Sequence, residues 1–366
     1  MIRVGVLYGG ISPEYWVSLQ SAQSILYHLD KNLFEVIPIH INPKGHWLIN
    51  DTSVLSNSYY TNSNHTILTS FCSIPTHFPC EIIFSLLHGH LGENGSIQGT
   101  FETLGIPYVG SGVLGSAIGM NKAIAKILLS KEALVAIVPS ITLYDHEINR
   151  GIEYIQTSLF ASLCYPVFIK PVSAGSSVGI HKVTQSKELM PALYDALKYD
   201  HSVLVEQVLE VREIEVAVLE NSIYGGEPLV SVPGEIIVHD SFYSYRAKYS
   251  DSEGASLTIP ADLNQAQVNF LQTASKHIFI VLQLEGMARI DFFLDKQTQK
   301  IYFNEVNTIP GFTQNSMYPK LWESSGKSYT QLLTDLIQLG LARHKRKVSL
   351  NNQSYHYKMD LSEDVS

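Results

Sequence analysis

The 366-residue chain has only three cysteines, Cys72, Cys80 and Cys164. Three thiols cannot all pair, and their spacing does not match a zinc site. They read as buried, reduced thiols in a reducing compartment. Charge is also sparse: Asp, Glu, Lys and Arg make up 16% of the chain, and the net charge is -9. No basic field exists to hold a nucleic-acid backbone, so nucleic acid is not an expected partner. A polyanionic ligand must be gripped locally, by placed lysines, backbone N–H groups and metal ions. No apolar run approaches the ~18 residues that span a bilayer, and Met1 to Gly10 lacks the layout of a signal peptide. The expectation is a soluble, cytoplasmic protein with no membrane partner.

What is present fits an α/β protein. The hydrophobic fraction of 45% is enough for a sizeable core, and the length suits two or three domains. Ile2 to Tyr8, Val36 to His40 and Glu81 to Leu87 read as buried strands, and Val17 to Leu29 as a helix. Strands ending in Gly9-Gly10 and His88-Gly89 place ligands at strand C-termini. Asn50 to Asn64 is rich in Ser, Asn, Thr and Tyr and reads as a surface insertion. Lys122 to Leu129 opens a second unit, with strands at Pro166 to Lys170 and Val203 to Gln207. A third unit starts near Leu209, with a strand at Ile214 to Leu219, a polar loop at His239 to Ala255 and a helix at Asn264 to Val281. His344 to Lys347 and the residues to Ser366 read as a solvated, poorly ordered end. There is no internal repeat.

Ala288 to Gly311 carries the most chemistry. Arg289 to Leu294 and Ile301 to Asn307 are two apolar strands around a turn at Asp295 to Lys300. A hairpin there sets Asp291 opposite Glu305 and Arg289 opposite Asn307, all on one face. Two carboxylates and an amide suit a hard cation such as Mg²⁺. The same pattern also fits a hairpin with a polar, salt-bridged outer face. Lys170 to Gly179 is a Gly/Ser loop that can wrap phosphate oxygens, or an ordinary flexible turn; it is not a Walker A loop. Glu206 to Leu209 with Glu213 fits a strand end reading an adenine edge and ribose, or simply a strand with an exposed acid. His88 and His90 lack the further ligands of a metal site.

Taken in order, these motifs resemble a known family. Gly9-Gly-Ile-Ser-Pro-Glu14 with Val17-Ser-Leu19, Leu87-His-Gly-His-Leu-Gly-Glu-Asn-Gly95, Lys170-Pro with Gly175-Ser-Ser-Val-Gly179, Ala288-Arg-Ile-Asp291 and Asn304-Glu-Val-Asn-Thr-Ile-Pro-Gly311 resemble the D-alanine–D-alanine ligases of peptidoglycan synthesis. The resemblance runs from about residue 2 to residue 340. It implies an ATP-grasp fold: an N-terminal doubly wound α/β domain (1–118), a central domain (119–207) and an α+β C-terminal domain (208–345), then a polar tail (346–366). It implies ATP held by Lys122, Lys170, Glu206, Gln207, Leu209, Glu213 and Lys248. Two Mg²⁺ ions, replaceable by Mn²⁺, fall to Asp291, Glu305 and Asn307. Two D-alanines fall to Glu14, His88, Ser316 and Met317. Catalysis falls to Glu14, Ser176, Tyr249, Arg289 and Gly311, through a D-alanyl phosphate. A homodimer is the family's usual assembly.

Trp16, Asn94 and Phe312 depart from the common pattern, which bears on loop packing more than on activity. Ala247-Lys-Tyr249 favours a dipeptide product over D-alanyl-D-lactate. Glu14, Ser176 and Ser316 argue against another ATP-grasp carboxylate–amine ligase. Retention of Lys122, Lys170, Arg289, Asp291, Glu305 and Asn307 argues against an inactive nucleotide-binding relic.

Overall fold

The computed structural model describes residues 1–55, 66–69, 78–160, 162–175, 178–238 and 255–363. Among these residues the strands form three sheets. The first contains β1 (Ile2–Gly9), β2 (Phe34–Ile41), β3 (Trp47–Ile49), β4 (Thr66–Thr69) and β5 (Ile82–Ser85), in the order β4-β3-β2-β1-β5. β1 lies parallel to both β2 and β5, and β3 and β4 run antiparallel. Strands in the middle of a covered parallel sheet are buried on both faces, which is why Val4 to Tyr8 of β1 read as an unbroken apolar run. Helices α1 (Tyr15–His28), α2 (His90–Glu93), α3 (Ser96–Leu104) and α4 (Val113–Met120) belong with this unit.

Next come α5 (Lys122–Glu132), β6 (Ala136–Ile137), β7 (Ser140–Tyr144), α6 (Asp145–Ile148), α7 (Ile152–Phe160), β8 (Val167–Pro171), β9 (His181–Val183), α8 (Ser186–Ala196) and β10 (Ser202–Gln207). The second sheet is antiparallel, in the order β7-β10-β8-β9. The chain ends with β11 (Val211–Leu219), β12 (Leu229–Val230), β13 (Gly234–Val238), β14 (Ala255–Thr258), α9 (Gln265–Val281), β15 (Met287–Asp295), β16 (Ile301–Asn307), α10 (Met317–Ser324) and α11 (Tyr329–Glu363). Their sheet runs β14-β13-β11-β15-β16-β6, with β12 beside β11.

The hydrophobic cores tie these parts together. Val4, Val6 and Phe84 of the first sheet share a core with Phe312, Tyr318, Leu332 and Leu336 from the end of the chain. A second core lies between α9 and the β11–β15–β16 face, and a third covers the antiparallel sheet. The first unit is therefore closed by helices that the chain supplies last. No single helix among the described residues is long and apolar enough to cross a membrane.

Three expectations need correction. The segment from His344 is not a loose end, because α11 continues to Glu363. Arg343 is buried and donates to the carbonyls of Tyr108 and Gly110, while Lys347 meets Glu102 at 2.5 Å and Arg346 meets Glu220 at 3.5 Å. The start of the supposed insertion is only partly on the surface: Asn50, Ser53 and Val54 are exposed, but two residues are not. Asp51 and Thr52 are buried, and Asp51 Oδ2 lies 2.8 Å from His40 Nδ1; residues 56–65 lie outside the described residues. Nor are the thiols uniformly buried. Cys164 is exposed and Cys80 half-buried, with burial pushing the Cys80 thiol up to about 11. Cys72 lies outside the described residues.

Candidate active site

The β15–β16 hairpin has the register read from the sequence: Asp291 pairs Glu305 and Arg289 pairs Asn307. A β-bulge makes this possible. Phe292 pairs Phe303, whereas the next pair inward is Asp291 with Glu305, so Asn304 is the extra residue. Ile301 and Phe303 are buried, and after the bulge it is Val306 that turns inward. Strict alternation would have sent Glu305 and Asn307 into the core with Ile301 and Phe303. The bulge turns them to the face carrying Arg289 and Asp291.

On that face Arg289 forks onto Asp291, with Nε to Oδ1 and Nη2 to Oδ2 both at 2.8 Å. Its Nε is also 2.9 Å from Glu215 Oε2, from the neighbouring strand β11. Asn307 Nδ2 donates to Asp291 Oδ2 at 3.0 Å, so its carbonyl oxygen is the atom a cation would take. Lys122 Nζ lies 3.2 Å from Glu305 Oε2 and donates to Ala174 O at 2.7 Å. The described residues contain no gathered trio of His, Cys, Asp or Glu side chains. Two carboxylates and an amide, all offering oxygen, fit a hard divalent cation shared with phosphate oxygens.

Lys122 links the hairpin to the glycine loop. Asn121 caps α5 through its side chain, which accepts from Ile124 N at 2.9 Å, and this aims Lys122 from the first turn. Lys170 closes β8 just before the loop. Its Nζ donates to Glu206 Oε2 at 2.5 Å, while Lys126 Nζ donates to Glu206 Oε1 at 2.7 Å. Glu206 is 1% exposed. Burial opposes its charge, but the two ammonium groups outweigh burial and hold the carboxyl down at about 2. Gln207 spends its side chain on the backbone of Cys164 and Pro166. Leu209 follows directly, and Glu213 lies on β11 opposite Phe293. Lys248, Tyr249 and Ser176 lie outside the described residues.

The other side of the site is built on the first unit. Gly9 turns with φ +91°, where a Cβ would strike Ile41 O at 2.2 Å. Ser18 ties this turn down, accepting from Gly9 N at 2.8 Å and donating to Leu86 O at 2.6 Å. Glu14, buried at the start of α1, faces the second glycine loop and the third: Cβ atoms at Gly89 and Gly175 would lie 2.9 and 3.5 Å from its Oε2. His88 is buried beside it. Burial holds the imidazole below its ordinary range against the pull of Glu14, and Nε2 has no hydrogen-bond partner among the described residues. Glu93 accepts from Gly89 N at 2.7 Å, and burial, then the Glu14 charge, push its carboxyl up to about 8.

Gly311 and Ser316 close the far end. A Cβ on Gly311 would sit 2.8 Å from Ser316 Oγ, which accepts from Thr313 N at 3.0 Å. Ser316 precedes α10, so the Met317 N–H opens a helix N-terminus, a place suited to a carboxylate. The arrangement thus joins buried lysines beside a glycine loop, a face of two carboxylates and an amide, and a buried acid at the start of α1.

Family models match both halves of the chain: "D-ala D-ala ligase N-terminus" over residues 3–111 and "D-ala D-ala ligase C-terminus" over residues 128–338. The chain belongs to the D-alanine–D-alanine ligase family. A D-alanine–D-alanine ligase of Caldicellulosiruptor bescii is 42% identical, over 95% of this chain and 98% of that one. One from Legionella pneumophila is also 42% identical, over 94% and 96%. The D-alanine–D-alanine ligase structure from Coxiella burnetii superposes with a TM-score of 0.83 at 33% identity, covering 98% of this chain and 99% of that one. The VanG D-Ala:D-Ser ligase of Enterococcus faecalis gives 0.79 at 33%, covering 93% and 99%. The fold is accordingly the ATP-grasp fold of these D-alanine–D-alanine ligases.

Within this family frame the three departures have clear places. Phe312 is buried, its ring edge-on to Phe84 at 5.5 Å. Asn94 Oδ1 accepts from Ser96 N at 3.0 Å, and Trp16 is exposed. Three residues at the site escaped the sequence reading. Lys126 follows Lys122 by four on one helix, Glu215 follows Glu213 by two on one strand, and Glu93 lies inside a quoted motif. Spacing was the available signal for the first two, and the motif itself for Glu93.

Proposed function

We propose that this chain is an ATP-dependent, ADP-forming ligase that joins two D-alanines into D-alanyl-D-alanine for peptidoglycan precursors. Family membership supports this, and the bulged hairpin carries it. The bulge aims Glu305 and Asn307 at the face shared by Arg289 and Asp291, with Lys122 reaching the glycine loop beside them.

ATP lies with its phosphates toward Lys122, Lys170 and Lys248. Glu206 accepts the adenine amino group, Gln207 and Leu209 offer main-chain contacts, and Glu213 takes the ribose hydroxyls. Asp291, Glu305 and Asn307 would hold two Mg²⁺ ions, or Mn²⁺ in their place. Bound there, the cations neutralise charge on the transferring phosphoryl group.

Glu14 holds the ammonium of the first D-alanine, with His88 lining the same subsite. The D-alanine carboxylate oxygen attacks the γ-phosphorus and ADP leaves, giving D-alanyl phosphate. The amine of the second D-alanine, its carboxylate on Ser316 and the Met317 N–H, then attacks the acyl carbon. Arg289 and the Gly311 N–H stabilise the oxyanion, and phosphate departs. Glu14, Ser176 and Tyr249 close the site and exclude water, which would hydrolyse the acyl phosphate. The working protein is a cytoplasmic homodimer, which light scattering checks directly.

Phosphate release from ATP with Mg²⁺ tests the reading, comparing D-alanine, L-alanine, and D-alanine with D-serine or D-lactate. Release that requires D-alanine, with the dipeptide as product, supports it. Release indifferent to D-alanine sinks the substrate assignment, and a mixed product with D-serine or D-lactate reassigns the second substrate.

A further inference from the structure

Lys126 is a buried cation with no part in the chemistry above. It is 4% exposed, and an ammonium is costly to bury unless it is paired. Its Nζ donates to Glu206 Oε1 at 2.7 Å and lies 3.5 Å from Phe303 O, on the hairpin that carries Glu305. Lys170 takes the other oxygen of the same carboxylate. The two lysines differ in surroundings. Lys170 ends a strand that runs into the glycine loop, and it lies over the rings of Phe168 and Phe293, each 5.6 Å away. Lys126 comes from the helix interior, with Glu206, the Phe303 carbonyl and the Phe303 ring, 5.9 Å from its Nζ, around it.

We infer that Lys126 is a positioning residue that holds the Glu206 carboxylate in place as a purine-reading acceptor, leaving Lys170 to serve the phosphates. Each carboxylate oxygen has two acceptor sites, so one lysine per oxygen leaves capacity for a further donor. A fixed carboxylate accepts from an exocyclic amino group and repels a carbonyl at the same ring position. Lys126 would thereby contribute to the choice of adenine over hypoxanthine without touching either. This rests on the reading of the cleft as an ATP site.

The test uses the full chain with Lys126→Met, and Lys126→Gln as a milder variant that keeps a hydrogen-bond donor. KM is measured for ATP, ITP and D-alanine, and melting temperature with and without each nucleotide. KM for ATP should rise about tenfold or more and the preference for ATP over ITP should fall, while KM for D-alanine stays within about twofold. Adding Lys126→Met to Glu206→Gln should produce little further change, because the lysine acts through the acid. An unchanged ATP-to-ITP preference overturns the proposal, including the case where melting falls equally with and without nucleotide. Wild-type protein that is not stabilised by ATP would instead refute the nucleotide reading. Wild-type protein stabilised by ATP but indifferent to D-alanine would refute only the amino-acid assignment.

Discussion

Asp291 stands opposite Glu305 because β16 carries one residue more than its partner strand at that point. Nearer the turn Leu294 pairs Ile301 and Phe292 pairs Phe303, with odd-numbered residues of β16 facing the core. Asn304 breaks the alternation, and the two carboxylates then face one cleft.

Deleting Asn304 should restore simple alternation and drive Glu305 and Asn307 toward the core. D-alanine-dependent phosphate release should vanish and urea stability should fall, whereas Asn304→Ala, which keeps the bulge, should stay near the wild-type rate. Glu305→Ala should abolish turnover without the same loss of stability. Normal turnover by the deletion would show that the bulge does not place these groups.

Arg289 spans both oxygens of Asp291 and also meets Glu215. A lysine ammonium cannot make that fork. Arg289→Lys is expected to lower kcat on the order of 10²–10³-fold, the usual cost of losing one oxyanion donor. Single-turnover measurement of dipeptide formation checks this, and a rate within error of wild type would remove Arg289 from the oxyanion role.

Glu93 makes stability depend on pH. Its carboxyl is raised from the ordinary 4.5 to about 8 by burial and then by the Glu14 charge. The folded state therefore binds this proton more tightly than the unfolded chain. The contribution is complete below 4.5 and is lost as pH rises through about 8. Glu93→Gln imitates the protonated form and should flatten the decline of melting temperature across that window. An unaltered pH profile would mean that Glu93 is not the group responsible.

Gly311 has no room for a methyl group beside Ser316 Oγ, 2.8 Å from the Cβ position. Gly311→Ala should displace Ser316 and weaken the second D-alanine site. A rise on the order of tenfold in KM for that substrate is expected, since small misplacements at reacting sites are costly. Ser316→Ala in the same chain should relieve the clash without restoring the lost hydroxyl.

Arg343 anchors α11 to the first unit through the carbonyls of Tyr108 and Gly110 and through Glu285 at 3.4 Å. Arg343→Met would leave buried acceptors without a donor, at about 3 kcal/mol. Urea unfolding followed by circular dichroism measures the loss, and a change below experimental error would show that the helix is held by its apolar face alone.

Several of these features were legible from the chain alone, because their code is short-range. Apolar runs marked β1, β2, β8, β10 and β11, and the turn at Asp295 to Lys300 marked the hairpin that carries Asp291 and Glu305. Glycines marked where the backbone had to bend at Gly9 and approach a neighbour closely at Gly89. Other features depended on residues far apart in the chain. The sequence reading placed Glu305 and Asn307 on the face of Arg289 and Asp291 without a bulge, and only the paired strand with its packed face shows that Asn304 is extra and makes this possible. Lys126 looked like any helical lysine until β10 brought Glu206 to it, 80 residues away. Asp51 looked like part of a polar insertion until His40 met it, and the basic stretch after Arg343 looked solvated until Tyr108, Gly110, Glu102 and Glu220 received it. Local sequence determined which segments could be strand, helix or turn. Tertiary packing decided which polar groups were buried, because a buried charge is tolerated only where a distant partner arrives to balance it.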